Sequence, residues 1–277
     1  MTDGSDARID YDEAGKGPTV VLVPGSCSTG AAWRPIIAHW KDRFRCVTTS
    51  LLGYGATAER RTAATADIAQ EVEGVEAVIR RAGHPVHLVG HSFGGLVALA
   101  VALRRPHLLR SLTILEAPAP EILRQCGEDD HYQSFRQMSS AYVRAFQAGQ
   151  SDAIAAMIDF YGGRGTFAAW PQRVRDYAIA TTAANLMDWS CAYGFDLTPA
   201  LLARVSAPAL VAYGELSHPA PQRANELLGR RIPGGRVTVI PGAAHFMIAT
   251  HASEVAELVA AHIDRTISTS SMQAVAP

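Results

Sequence analysis

Three side chains far apart in the sequence could together break an acyl bond: Ser92, His245 and Glu116. Ser92 stands in Gly90-His91-Ser92-Phe93-Gly94, a G-x-S-x-G pattern. An apolar run (Val86, Leu88, Val89) precedes it, and an Ala-, Leu- and Val-rich stretch from Gly95 to Leu103 follows. A serine on a sharp strand-to-helix turn is held in a strained conformation with its hydroxyl above the sheet. Glycines two before and two after it let the backbone close up. The Phe93 amide, opening the helix, would face a developing oxyanion with the helix dipole behind it. The pattern alone also arises by chance in ordinary strand–helix connections, but here strand and helix flank it on both sides. Ser92 is the expected nucleophile.

A serine hydroxyl needs a base, and the base a carboxylate, in the chain order serine, acid, histidine. Of the ten histidines, His245 lies in Pro241-Gly242-Ala243-Ala244-His245-Phe246, between the last expected strand and the closing helix. There an imidazole can reach the serine as general base. His84, His107 and His262 flank helices and read as surface residues, and His91 belongs to the turn, where it packs rather than reacts. The acid is the unusual part. After the next-to-last strand, where a G-x-x-D arrangement would supply it, the chain reads Gly214-Glu215-Leu216-Ser217-His218, with serine in the acid's place. The strand after the nucleophile's, Thr113-Ile114-Leu115, instead runs straight into Glu116. Glu116 is therefore the expected acid, with Glu215 and Asp196 as alternatives and a salt-bridged Glu116 as the bland reading.

Strands and helices that could hold these groups alternate along the chain. Expected strands cover Arg8 to Glu13, Thr19 to Val23, Arg45 to Leu51, Val86 to Val89, Ser111 to Leu115, Ala209 to Tyr213 and Arg236 to Ile240. Ala66 to Ala82 carries helical spacing through Ile68, Val72, Val75, Val78 and Ile79, closed by Gly83. Ser253 to Ile267 is a closing helix. Such alternation predicts an α/β fold, a mainly parallel twisted sheet with helices on both faces. Residues Pro118 to Ala207 are too many for a simple connection. Stripes at Tyr132, Phe135, Tyr142 and Phe146, at Ile154, Met157, Ile158 and Tyr161, and at Val174, Tyr177, Ala178 and Thr181 predict an inserted helical cap. The expected division is a core of residues 1–117 and 208–267, a cap of 118–207 and a flexible tail of 268–277.

Length and composition allow this. At 277 residues the chain suits one core plus an elaboration. It is 48% apolar and 18% charged, as a globular chain with a sizeable core should be, and its net charge of −1 argues against nucleic acid or an anionic membrane as partner. Residues 1–8 are polar, no stretch could span a bilayer, and the four cysteines lack metal-type spacing. The expectation is a cytoplasmic monomer or homodimer that uses neither metal nor cofactor.

Together the motifs resemble the α/β-hydrolase family over Arg8 to Glu116 and Ala207 to Ile267. Serine at 217 with Glu116 present resembles the subgroup whose acid has moved to the strand after the nucleophile turn. Haloalkane dehalogenases of one branch share that move, but they use an aspartate nucleophile, and Ser92 excludes their chemistry. Zearalenone-type lactonases are similar in Val23-Pro24, Leu115-Glu116 and Pro241-Gly242 through His245-Phe246. The cap carries no such likeness, so a lactone substrate does not carry over. In the loop after Thr19 to Val23, family members often read His-Gly-x, where this chain has Pro24-Gly25-Ser26-Cys27. By position the Ser26 amide is the second oxyanion donor beside Phe93, with Cys27 the runner-up. Cys27, Trp33, Trp170, Trp189 and Met247 are the expected substrate-binding residues.

Three functions remain open from the sequence. The first is a serine hydrolase cleaving a carboxylic ester or lactone of a mostly apolar small molecule through an acyl-enzyme. The second is a carbon–carbon bond hydrolase or lyase using the same triad. The third is a ligand-binding receptor on a hydrolase scaffold.

Overall fold

Period-two alternation decides which face of the sheet each strand residue meets. Val21 and Val23 face one hydrophobic cluster while Val20 and Leu22 face another, and Leu112 and Ile114 are separated from Leu115 in the same way. A sheet with apolar residues on both faces must be covered on both. The computed structural model, which describes residues 8–275 and their side chains through 269, has that form. Seven strands are β1 (Asp12–Ala14), β2 (Thr19–Val23), β3 (Arg45–Thr48), β4 (Val86–His91), β5 (Leu109–Leu115), β6 (Ala209–Gly214) and β7 (Arg236–Ile240). Their order is β1-β3-β2-β4-β5-β6-β7, and every neighbouring pair is parallel except β1 with β3.

The helices of the first half are α1 (Arg34–Trp40), α2 (Ile68–Ala82) and α3 (Phe93–Arg104). Asp67 caps α2 in a reciprocal pair with Gln70, so the helix starts two residues later than its apolar spacing suggested. Helix α3 is buried from Phe93 to Ala102, as a helix apolar all round must be. The insert folds as α4 (Pro120–Gln125), α5 (Asp129–Gln147), α6 (Ile154–Gly162), α7 (Thr166–Ala169), α8 (Gln172–Ala180), α9 (Thr182–Gly194) and α10 (Pro199–Leu202). The three expected stripes lie on α5, α6 and α8. Helix α9 carried no aromatic stripe to announce it.

Helices α11 (Pro219–Arg231), α12 (Met247–Thr250) and α13 (Ala252–Val275) complete the fold. Two expectations fail at the chain ends. The first strand is shorter and later than Arg8 to Glu13. Residues 268–275 continue α13 rather than leaving it as a tail: no Gly or Pro interrupts them, and Ser268 and Thr269 donate back to the carbonyls of Asp264 and Arg265. Residues 1–7, within the polar stretch 1–8 read from the sequence, and residues 276–277 lie outside the described residues. No described helix is long and apolar enough to cross a membrane.

Candidate active site

Strand β4 ends at His91, α3 begins at Phe93, and Ser92 between them has φ +53°. A side chain is strained there. The turn is also too tight for a larger residue at Gly90 or Gly94: an added Cβ would sit 2.2 Å from the carbonyl oxygens of Gly94 and Pro24 respectively. The spacing of the motif thus follows from backbone packed on backbone. At the same end of the next strand, β5 stops at Leu115 and Glu116 also takes a positive φ of +50°. Its amide donates to the Ala212 carbonyl, and Asn225 clasps the Ala117 amide and carbonyl, which fixes the turn from outside.

These two turns and the loop after β7 bring three side chains into line. Ser92 Oγ lies 2.9 Å from His245 Nε2, and His245 Nδ1 lies 2.8 Å from Glu116 Oε1. Glu116 is fully buried; its other oxygen accepts from the Gly214 amide at 2.9 Å and the Ser217 hydroxyl at 2.6 Å. Because the carboxylate accepts, Nδ1 carries the proton and Nε2 is left to accept from the serine. The arrangement can move a proton from Ser92 to the imidazole while a negative charge faces the other ring nitrogen.

The other acids are elsewhere. Glu215 accepts from the Gly242 amide, and Asp196 is exposed and meets Arg124 and Gln125. His91 packs as expected, its Nε2 2.8 Å from the His245 carbonyl, and burial followed by the neighbouring imidazole pushes its pKa down to about 3. His262 is not the surface residue its helix suggested. It is buried beneath the sheet, with Nε2 3.3 Å from the Pro208 carbonyl.

A cleft opens above Ser92, lined by Ser26 and Phe93 from the core side and by Pro118, Met157, Tyr161, Asn185, Asp188 and Trp189 from the insert. It has about 420 Å³ of space between atoms, open mouth included. The Ser26 and Phe93 amides find no acceptor among the described residues. Of the expected substrate-binding residues only Trp189 lines the cleft. Trp33 and Met247 are fully buried in the opposite core cluster, because their helical segments pack on the sheet's other face. Trp170 stands one layer back, edge-on to Phe246 with centroids 5.0 Å apart. Cys27 is outside the lining, and burial pushes its thiol up to about 12.

What the sequence left unread is a buried ionic knot at the cleft wall. Asp188, on α9, accepts from Ser26 Oγ at 2.5 Å, Tyr54 Oη at 2.6 Å and Arg61 Nη1 at 2.7 Å. Arg61, with no side-chain exposure, also meets Glu59 at 2.8 Å and Glu71 at 2.9 Å. Burial, only partly offset by Arg61, raises the carboxyls of both Glu71 and Asp188, while at Glu59 burial is outweighed by hydrogen bonds from Arg61, which hold it below its ordinary value. Polar residues at 185 and 188, three apart in the otherwise apolar run A-N-L-M-D-W, were the available signal.

Known proteins place this geometry in context. The 2-(acetamidomethylene)succinate hydrolase of Mesorhizobium japonicum is 28% identical over 251 residues, 86% of this chain and 85% of that protein. A thermophilic esterase from Thermogutta terrifontis superposes with a TM-score of 0.75 at 20% identity, covering 96% of each chain. Est816, described as an N-acyl homoserine lactone degrading enzyme, gives a TM-score of 0.73 at 21% identity, over 93% of this chain and 98% of that one. The Alpha/beta hydrolase family matches residues 20–258, most of the chain, and to that family of enzymes the protein belongs.

Proposed function

We propose that the protein is a serine hydrolase that cleaves a carboxylic ester or lactone of a small, mostly apolar molecule through an acyl-enzyme. One observation carries this reading: the unbroken line from Ser92 Oγ through the His245 ring to the buried Glu116, with the serine on a strained turn. In the proposed cycle Ser92 attacks the acyl carbon as His245 Nε2 takes its proton. Glu116 balances the imidazolium. The amides of Phe93, at the positive end of α3, and Ser26 hold the oxyanion. His245 returns the proton to the leaving alkoxide, and water then resolves the acyl-enzyme by the same steps. The rings of Tyr161 and Phe246, 4.1 and 5.2 Å from that of His245, wall the imidazole from solvent on the insert side.

The cleft's chemistry also narrows the substrate. The lining residues include one carboxylate, Asp188, and no Lys or Arg among the described residues. No cation lines the cleft to meet a carboxylate such as the relative's succinate-type substrate would bring, so a neutral substrate fits better. The test is turnover of short phenyl esters together with labelling by a fluorophosphonate. Ser92→Ala should abolish labelling and lower kcat by about 10³-fold or more, with the fold retained by circular dichroism. Labelling of any other residue would end the proposal.

A further inference from the structure

Two polar side chains in the cleft have nothing to bind. Asn185 and Tyr161 are 2% and 3% exposed, both line the space above Ser92, and neither Asn185 Oδ1 nor Tyr161 Oη has a hydrogen-bond partner among the described residues. No side-chain hydrogen bond of the Asn185 carboxamide occurs among the described residues, although Asp188, one turn further along α9, is saturated by three donors. Buried polar groups are almost always paired, and leaving one unpaired opposes folding. Two such groups on helices α6 and α9 of the insert, among the apolar lining residues Met157, Ile158, Trp189, Ala192 and Phe246, are what a ligand site looks like before its ligand arrives.

Their types say what that ligand offers. The carboxamide oxygen accepts, the phenol hydroxyl donates, and neither is charged. Asp188, the one carboxylate in the lining, is already met by Arg61. A matching group must donate one hydrogen bond, accept another and carry no charge. A secondary amide does so with its N–H and C=O held rigidly in one plane. The ester carbonyl cannot fill the role, since its oxygen is directed to the Ser26 and Phe93 amides in the reaction proposed above. We infer that Asn185 and Tyr161 form a subsite for a neutral amide in the acyl portion of the substrate, the amide N–H donating to Asn185 Oδ1 and its carbonyl accepting from Tyr161 Oη. The inference rests on the serine-hydrolase reading and names the substrate class of that same site. The flanking apolar walls then take the methylenes between amide and ester.

Phenyl esters test this as matched pairs. Acetamidoalkanoates with two to four methylenes between amide and ester are each compared with the straight-chain alkanoate of equal length. For at least one spacer, Asn185→Leu and Tyr161→Phe should each lower the amide-to-alkyl ratio of kcat/KM by about 10- to 100-fold, because the amide ester loses a partner that the alkyl ester never had. Tyr161→Phe keeps the ring against His245, so a fall in that variant isolates the hydroxyl. Unchanged ratios in both variants at every spacer, with the alkyl esters still turned over and Ser92 still labelled, overturn the amide subsite alone. A hydroxyalkanoate preferred over the acetamido ester and dependent on the same two residues overturns the amide assignment. Failure of every ester together with absent labelling at Ser92 sinks the hydrolase reading, and the subsite with it.

Discussion

Replacing Glu116 by Gln removes one charge and reverses one hydrogen bond, and the surroundings fix which way the amide turns. Oε2 of Glu116 accepts from two donors, the Gly214 amide and the Ser217 hydroxyl. A backbone N–H cannot turn away, so the introduced carboxamide must place its oxygen there and its NH2 toward His245 Nδ1. That NH2 donates where the carboxylate accepted. His245 is then held with its proton on Nε2, facing Ser92, and cannot act as base. The lost attraction has a similar size. Unit charges 2.8 Å apart interact by about 6 kcal/mol at an effective dielectric of about 20, roughly four powers of ten in rate. Both routes give a fall in kcat on the order of 10³–10⁴-fold. Initial rates on a short phenyl ester, normalised to folded enzyme by thermal melts, measure it. Glu215→Gln should cost far less. Ser217→Asp added to Glu116→Gln should restore part of the rate, since that side chain reaches the same pocket. A Glu116→Gln enzyme within tenfold of the parent would refute the reasoning outright.

Gly25→Ala should lower kcat by about 10²-fold or more with little loss of stability, because its Cβ would lie 2.7 Å from Ser92 Cβ and displace the nucleophile; parent-like rates in pre-steady-state assays would count against this. Asp188→Asn should cost about 2–3 kcal/mol in urea unfolding, since it strips the buried Arg61 of one counterion, and should slow turnover by loosening Ser26. Burial lowers His87 and His262 to about 4 and His91 to about 3. Their stabilisation is complete above the ordinary imidazole value near 6.5 and is lost as pH falls toward those folded values. Urea midpoints at pH 7.5 and 5 should show a smaller acid loss in His87→Leu/Ser111→Ala, which removes one such imidazole and its hydrogen-bond partner, than in the parent.

The line from Ser92 through His245 to Glu116 was legible because local chemistry dictates where its members stand. Glycines at 90 and 94 are demanded by backbone contacts, and an acid closing an apolar strand at 116 has no packing reason to be there. Strands β2 and β7 could be read to the residue because their apolar runs stop at turn residues. The cleft lining was not legible in this way. Trp33 and Met247 lie near the Pro24 and His245 loops in sequence, but which face of the sheet they meet is a tertiary matter. The same holds for Arg61, whose partners come from its own loop, α2 and α9. A charged residue in a polar stretch reads as surface until distant acids surround it.

The 2.6 Å contact between Ser217 and Glu116 bears on how such a triad changes over generations. A descendant with an acid on both strands would hold two carboxyl groups almost in contact, and like charges at that range do not both ionise. The pair would share one proton and present one negative charge to the imidazole, which needs no more than one. Either acid could afterwards drift to serine without an inactive ancestor in between. Transfer of such an acid between neighbouring strands then takes two single substitutions, with one carboxylate within reach of the imidazole at every step.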